Sequence, residues 1–72
     1  MKRFVPPDYE NSIVTNLIKE YIHDKTDRKI LYMRFVDNDT LTEIAEKLNL
    51  DTKTVWRHVH DNEIELFKHY PG

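Results

Sequence analysis

The 72-residue chain contains one glycine, three prolines and no cysteine. A chain this short holds one domain. It has no disulfide framework or thiolate zinc site, too few glycines for a phosphate loop or dinucleotide fingerprint, and little room for a deep enzymatic pocket. Eleven Lys+Arg against 13 Asp+Glu leave a net charge of −2, so bulk electrostatics does not advertise nucleic-acid binding.

Residues 1–8 (Met-Lys-Arg-Phe-Val-Pro-Pro-Asp) read as an extended N-terminal arm, because Pro6 and Pro7 oppose helix there. Residues 9–72 read as a single helical domain. From Tyr9 to about Lys25, the residues Ile13, Val14, Leu17, Ile18, Tyr21 and Ile22 spread over half of a helix cylinder at about 100° per residue. Such a wide apolar face is expected either to contact two other helices of the same chain or to form a homodimer seam.

Thr26 is the next expected N-cap, with Asp27 favourable in the first turn. Residues 27–36 are apolar nearly all round after that turn, the pattern of a central helix. Asp37-Asn38-Asp39 is a polar loop. Thr40 and Glu43 form a capping box that opens a short helix over 41–48, expected to bury Leu41, Ile44, Ala45 and Leu48. Asn49-Leu50-Asp51 is a turn in which Asn49 takes the left-handed conformation. Asp51 then caps a last helix running from Thr52 to about Phe67.

The longest apolar runs, Ile30–Met33 and Phe35–Val36, fall far short of the ~20 residues that cross a bilayer. With no signal peptide in view, a cytoplasmic protein is expected, and the initial Met1 suits a complete gene product. The fold expected is all-α: a four-helix (tetrahelical) domain with a helix-turn-helix at 41–67. In that unit small Ala45 permits close approach of two helices, Leu50 plugs the turn, and Val55 and Val59 bury one face of the second helix.

Two stretches carry a family resemblance. Asp27-Arg-Lys-Ile-Leu-Tyr-Met-Arg-Phe, a short loop and Leu41-Thr-Glu-Ile-Ala-Glu-Lys-Leu resemble region 4 of bacterial sigma factors. Lys53-Thr-Val-Trp-Arg-His-Val is similar to the recognition helix of LuxR-type domains. The resemblance covers about residues 26–67 and matches the layout of small phage-encoded regulators. It implies a DNA-binding role in transcription. Asn49 in place of the usual glycine, and the acidic stretch Asp61–Glu65, depart from the pattern.

On the last helix, Lys53, Trp56, Arg57 and His60 fall within an arc of about 100°, opposite Val55, Val59 and Leu66. They are the expected readers of a major groove: Arg57 on guanine, Lys53 on guanine or phosphate, Trp56 on a thymine methyl. Thr52, in the first turn, can donate to phosphate or base. Thr40 and Thr42 can hold phosphate with the free amides at the start of the preceding helix. Arg28, Lys29, Lys2 and Arg3 are further candidates for backbone contacts. His58 is expected at the edge of the core, and its spacing from His60 does not suit a shared metal.

The charge is unevenly divided. Residues 1–36 carry seven Lys/Arg against five Asp/Glu, whereas residues 37–72 carry four against eight. Because affinity for nucleic acid scales with the phosphates neutralised, one copy should bind DNA weakly. A small transcription regulator acting on promoter or operator DNA is therefore expected to gain affinity from a second copy or from RNA polymerase. The alternative is a helix-turn-helix module that binds RNA polymerase or another protein, with Trp56, the acidic tail and the first helix as its surface. No cofactor, metal or catalytic group is expected, nor is an enzymatic activity.

Overall fold

The computed structural model describes residues 9–71, and the arm expected at 1–8 lies outside them. Among the described residues the chain forms four helices and no strand: α1 (Asn11–Tyr21), α2 (Lys25–Leu31, continuing in a wider π turn over Tyr32–Val36), α3 (Leu41–Leu48) and α4 (Thr52–Lys68). The all-α, tetrahelical architecture agrees with the sequence pattern. α4 packs against α1, α2 and α3 and is the hub of the molecule.

α1 is shorter than the Tyr9–Lys25 span expected. Glu10 stands at its N-cap in an extended conformation, and Ile22 leaves the helix at φ −108°, ψ 113°. Two forces move these ends. Tyr9 is drawn out of the helix to pack its ring against Phe35 and Phe67, while its hydroxyl donates to the Phe35 carbonyl at 2.6 Å. At the other end Arg28 donates from Nη2 to the Lys19 carbonyl (2.7 Å) and from Nε to the Ile22 carbonyl. Those bonds satisfy acceptors that the helix end leaves open.

The N-cap of α2 lies two residues before the expected one. Asp24, rather than Thr26, accepts the Asp27 amide at 3.0 Å, because a carboxylate makes the stronger, charge-assisted cap. The single α-helix expected over 27–36 is also corrected. From Tyr32 the winding widens, and the Asp37 amide bonds the Tyr32 carbonyl five residues back at 3.0 Å. Phe35 enters the core in this turn, and neighbouring Arg34 stays half-buried at its edge.

The core is contributed by all four helices. Val14, Ile18, Ile30, Leu31, Ile44, Val55 and Leu66 are fully buried, each contributing roughly 1.5–3 kcal/mol by removal from water. Phe35, Phe67 and Tyr9 form an edge-to-face triad with centroids 5.1–6.0 Å apart, the favoured aromatic geometry. Burial pushes the Tyr9 phenol above its ordinary pKa, against the opposing charge of Arg34. In α3 only Ile44 and Ala45 are buried, whereas Leu41 and Leu48 are half-buried and pack on the core rim.

Of the six α1 residues considered for a homodimer seam, Val14, Leu17, Ile18 and Ile22 are buried within this chain. α1 meets α4, α2 and the π turn, which is the two-neighbour use of its wide face. Only Ile13, half-buried, and Tyr21, exposed, remain toward solvent.

Candidate nucleic-acid interface

The site is built on the α3–α4 connection. The capping box forms as the residue types dictate: the Glu43 amide donates to Thr40 Oγ1 at 3.1 Å, and the Thr40 amide donates to Glu43 Oε1 at 3.0 Å. α3 ends at Asn49, at φ 55° and ψ 46°, and the Leu50 amide reaches back to the Ala45 carbonyl at 2.8 Å. This Schellman-type ending reverses the chain within three residues, and half-buried Leu50 packs against the core. Asp51 caps α4 by accepting from the Lys53 amide at 3.2 Å.

α4 therefore leaves the turn with Val55 and Val59 buried and the opposite side in water. Thr52, Lys53, Trp56, Arg57 and His60 are all exposed, as the periodicity predicts. Trp56 retains 51% of its accessible surface and stacks on His60 with rings 6° from parallel and centroids 4.9 Å apart. Among the described residues, neither Lys53 nor Arg57 forms an ion pair, so both charges remain available.

Thr40 and Thr42 are exposed at the start of α3. Leu41 lines the same groove as Trp56 and His60, so this helix start lies beside the α4 stripe. The capping box alters what the threonines can do. It occupies the Thr40 and Glu43 amides and places the Glu43 carboxylate at the helix end, which leaves the Leu41 and Thr42 amides for a phosphate.

Other cations are committed to the fold. Arg28, considered for backbone contacts, is bound to the end of α1. Lys47 donates to Asp39 Oδ2 at 2.8 Å, and that hydrogen bond and charge raise its pKa above the ordinary lysine value. Lys29 is exposed, while Lys2 and Arg3 lie outside the described residues. His58 does sit at the core edge, half-buried, with Nδ1 2.5 Å from Asp27 Oδ1. It thereby links α4 to the first turn of α2.

Two groups that sequence reasoning passed over join the site. Arg34 and Glu63 line the groove with Leu41, Trp56, Val59 and His60. Arg34 was legible as the one charge inside the apolar run 30–36, since a cation there must find a partner or an edge. Glu63 was legible from the helical period: it follows His60 by three residues and Trp56 by seven, which sets it apart from Asp61 and Glu65 on the far side of the helix. No group of three or more metal-ligating side chains converges among the described residues.

Compared with known proteins, the chain matches no family model, no curated protein and no solved structure. Among the described residues no helix is long and apolar enough to cross a membrane.

Proposed function

We propose that this chain is a small DNA-binding transcription regulator that inserts α4 into the major groove of promoter or operator DNA. The observation that carries the reading is the exposed stripe Lys53–Trp56–Arg57–His60 on the helix that follows the three-residue turn. Arg57 supplies a fork that matches guanine O6 and N7, and Lys53 a mobile charge for guanine or phosphate. Trp56 offers apolar surface to a thymine methyl. Thr52, Thr40 and Thr42 border the stripe as phosphate donors. The resemblance of residues 26–67 to sigma region 4 and LuxR-type domains points the same way.

The affinity of one copy is low in this reading. Asp51 and Glu43 place carboxylates at the starts of α4 and α3, where they oppose phosphate, and the net charge is −2. With four of the six α1 candidates buried, a homodimer through α1 has little surface left to use. RNA polymerase, or another transcription protein already on the promoter, is the partner that supplies the remaining affinity.

A second reading, a module that binds protein without DNA, is favoured by the exposed apolar Trp56 and Ile64 on one helix and by the acidic second half of α4. The two are separated by fluorescence anisotropy with labelled genomic duplexes at several salt concentrations. The DNA reading expects binding at low salt that weakens as salt rises and falls in Arg57→Ala. Absence of binding at low salt leaves the protein-binding reading.

A further inference from the structure

An open groove of about 190 Å³ lies between the π turn, the start of α3 and the middle of α4. It is smaller than the roughly 300 Å³ of an ordinary small-molecule pocket, so it suits one ring system rather than a whole ligand. Its apolar lining is Leu41 and Val59, with the parallel Trp56–His60 pair beside them. Trp56 is the only tryptophan of the chain, and aromatic side chains of this kind stack on nucleobases with little regard to base identity.

The polar lining adds selectivity. Arg34 uses Nη1 on the Asp39 carbonyl at 3.2 Å, which leaves the rest of its guanidinium donors without a partner among the described residues. Glu63 keeps only 23% of its side-chain exposure, yet among the described residues the one basic side chain within 4 Å of its carboxylate is His60, with Nδ1 at 3.9 Å. A cation with paired donors and a carboxylate with paired acceptors thus share one small groove with a flat aromatic pair.

The geometry points to a binding site for one unpaired guanine base, stacked beside Trp56–His60, with Arg34 toward its O6 and N7 acceptors and Glu63 toward its N1–H and N2–H donors. Among the common bases, guanine alone presents two adjacent donors to a carboxylate together with the acceptor pair that arginine reads. Its donor edge is hidden by pairing in a duplex, so the ligand is a guanine of a free nucleotide or of a single strand. Trp56 and His60 are shared with the duplex-reading stripe, whereas Arg34 and Glu63 lie outside it. The two proposals can therefore fail separately.

Trp56 emission, excited at the red edge where nucleotides do not absorb, reports the site directly. Titrations use guanosine monophosphate, adenosine monophosphate, and single-stranded oligonucleotides of dA with and without one central dG. The proposal expects saturable quenching with a preference of about tenfold for the guanine ligands, lost in Glu63→Gln. Quenching by the monophosphate identifies a nucleotide site, and quenching by the dG oligonucleotide alone identifies a strand site. No quenching by either guanine ligand overturns the proposal. So does equal quenching by guanine and adenine in the unmodified protein, a comparison that needs no variant. A guanine preference that persists in a folded Glu63→Gln, with folding followed by circular dichroism, also overturns it.

Discussion

Two histidine stacks on α4 look alike and do different work. Near the end of the helix, His69 lies flat on Tyr21, with centroids 3.7 Å apart and planes within 2°, and so ties the end of α4 to the end of α1. In the first half of the helix, His60 lies flat on Trp56 at 4.9 Å, but both residues belong to α4. The first stack joins elements distant in sequence and opposes unfolding. The second joins residues one turn apart and holds nothing together beyond its own helix. Trp56 thus keeps half of its surface in water, at the edge of the groove it shares with Leu41 and Arg34.

The largest effect should come from the C-terminal end of α4, where the Tyr21–His69 tie sits. Phe67 meets Tyr9, Phe35 and Tyr70, so Phe67→Ala should cost about 3–5 kcal/mol in denaturant melts, enough to unfold much of a domain this small. In the first half of α4, exposed Arg57→Ala should leave the melting midpoint unchanged. It should weaken duplex binding by about 1–3 kcal/mol in anisotropy titrations. Tyr21→Ala should lose the interhelical stack and about 0.5–1.5 kcal/mol, read as a lower melting temperature. Trp56→Ala should change stability by about 0.5 kcal/mol or less, which sharpens the contrast between the two stacks.

Alkaline pH probes the inner face independently. The folded-state pKa of Tyr9 is raised by burial, so the phenol loses its proton more readily in the unfolded chain than in the folded one. The stability this contributes is complete below the ordinary tyrosine pKa, about 10, and is lost as pH rises through the higher folded value. Melts at increasing alkaline pH should therefore show a decline that Tyr9→Phe reduces.

What could be read from the sequence was local. Thr40 with Glu43, Asn49, and Asp51 before Lys53 are partners no more than four residues apart, and each forms the contact its residue types favour. The outward stripe on α4 follows from helical period alone. The interactions that were hidden join distant parts of the chain. Arg28 reaches back across the α1–α2 bend, Tyr9 leaves the helix for Phe35 and Phe67, and His58 meets Asp27. The π turn was hidden for another reason: nothing in Tyr32–Val36 distinguishes a five-residue turn from an ordinary one until Phe35 must reach the core. Arg34 became a neighbour of Trp56 only once the π turn had packed beside α4, whereas Glu63 follows Trp56 by two turns of the same helix.

The central claim, that the outer face of α4 reads duplex DNA, is tested most directly by the salt dependence of duplex binding in the unmodified protein and in Arg57→Ala. With Lys53 as the cation facing phosphate and Arg57 as the reader of guanine, log K should fall as log salt rises, and Arg57→Ala should lower the affinity at every salt concentration with little change of slope. No binding at low salt, or identical affinity in the two proteins, would contradict it.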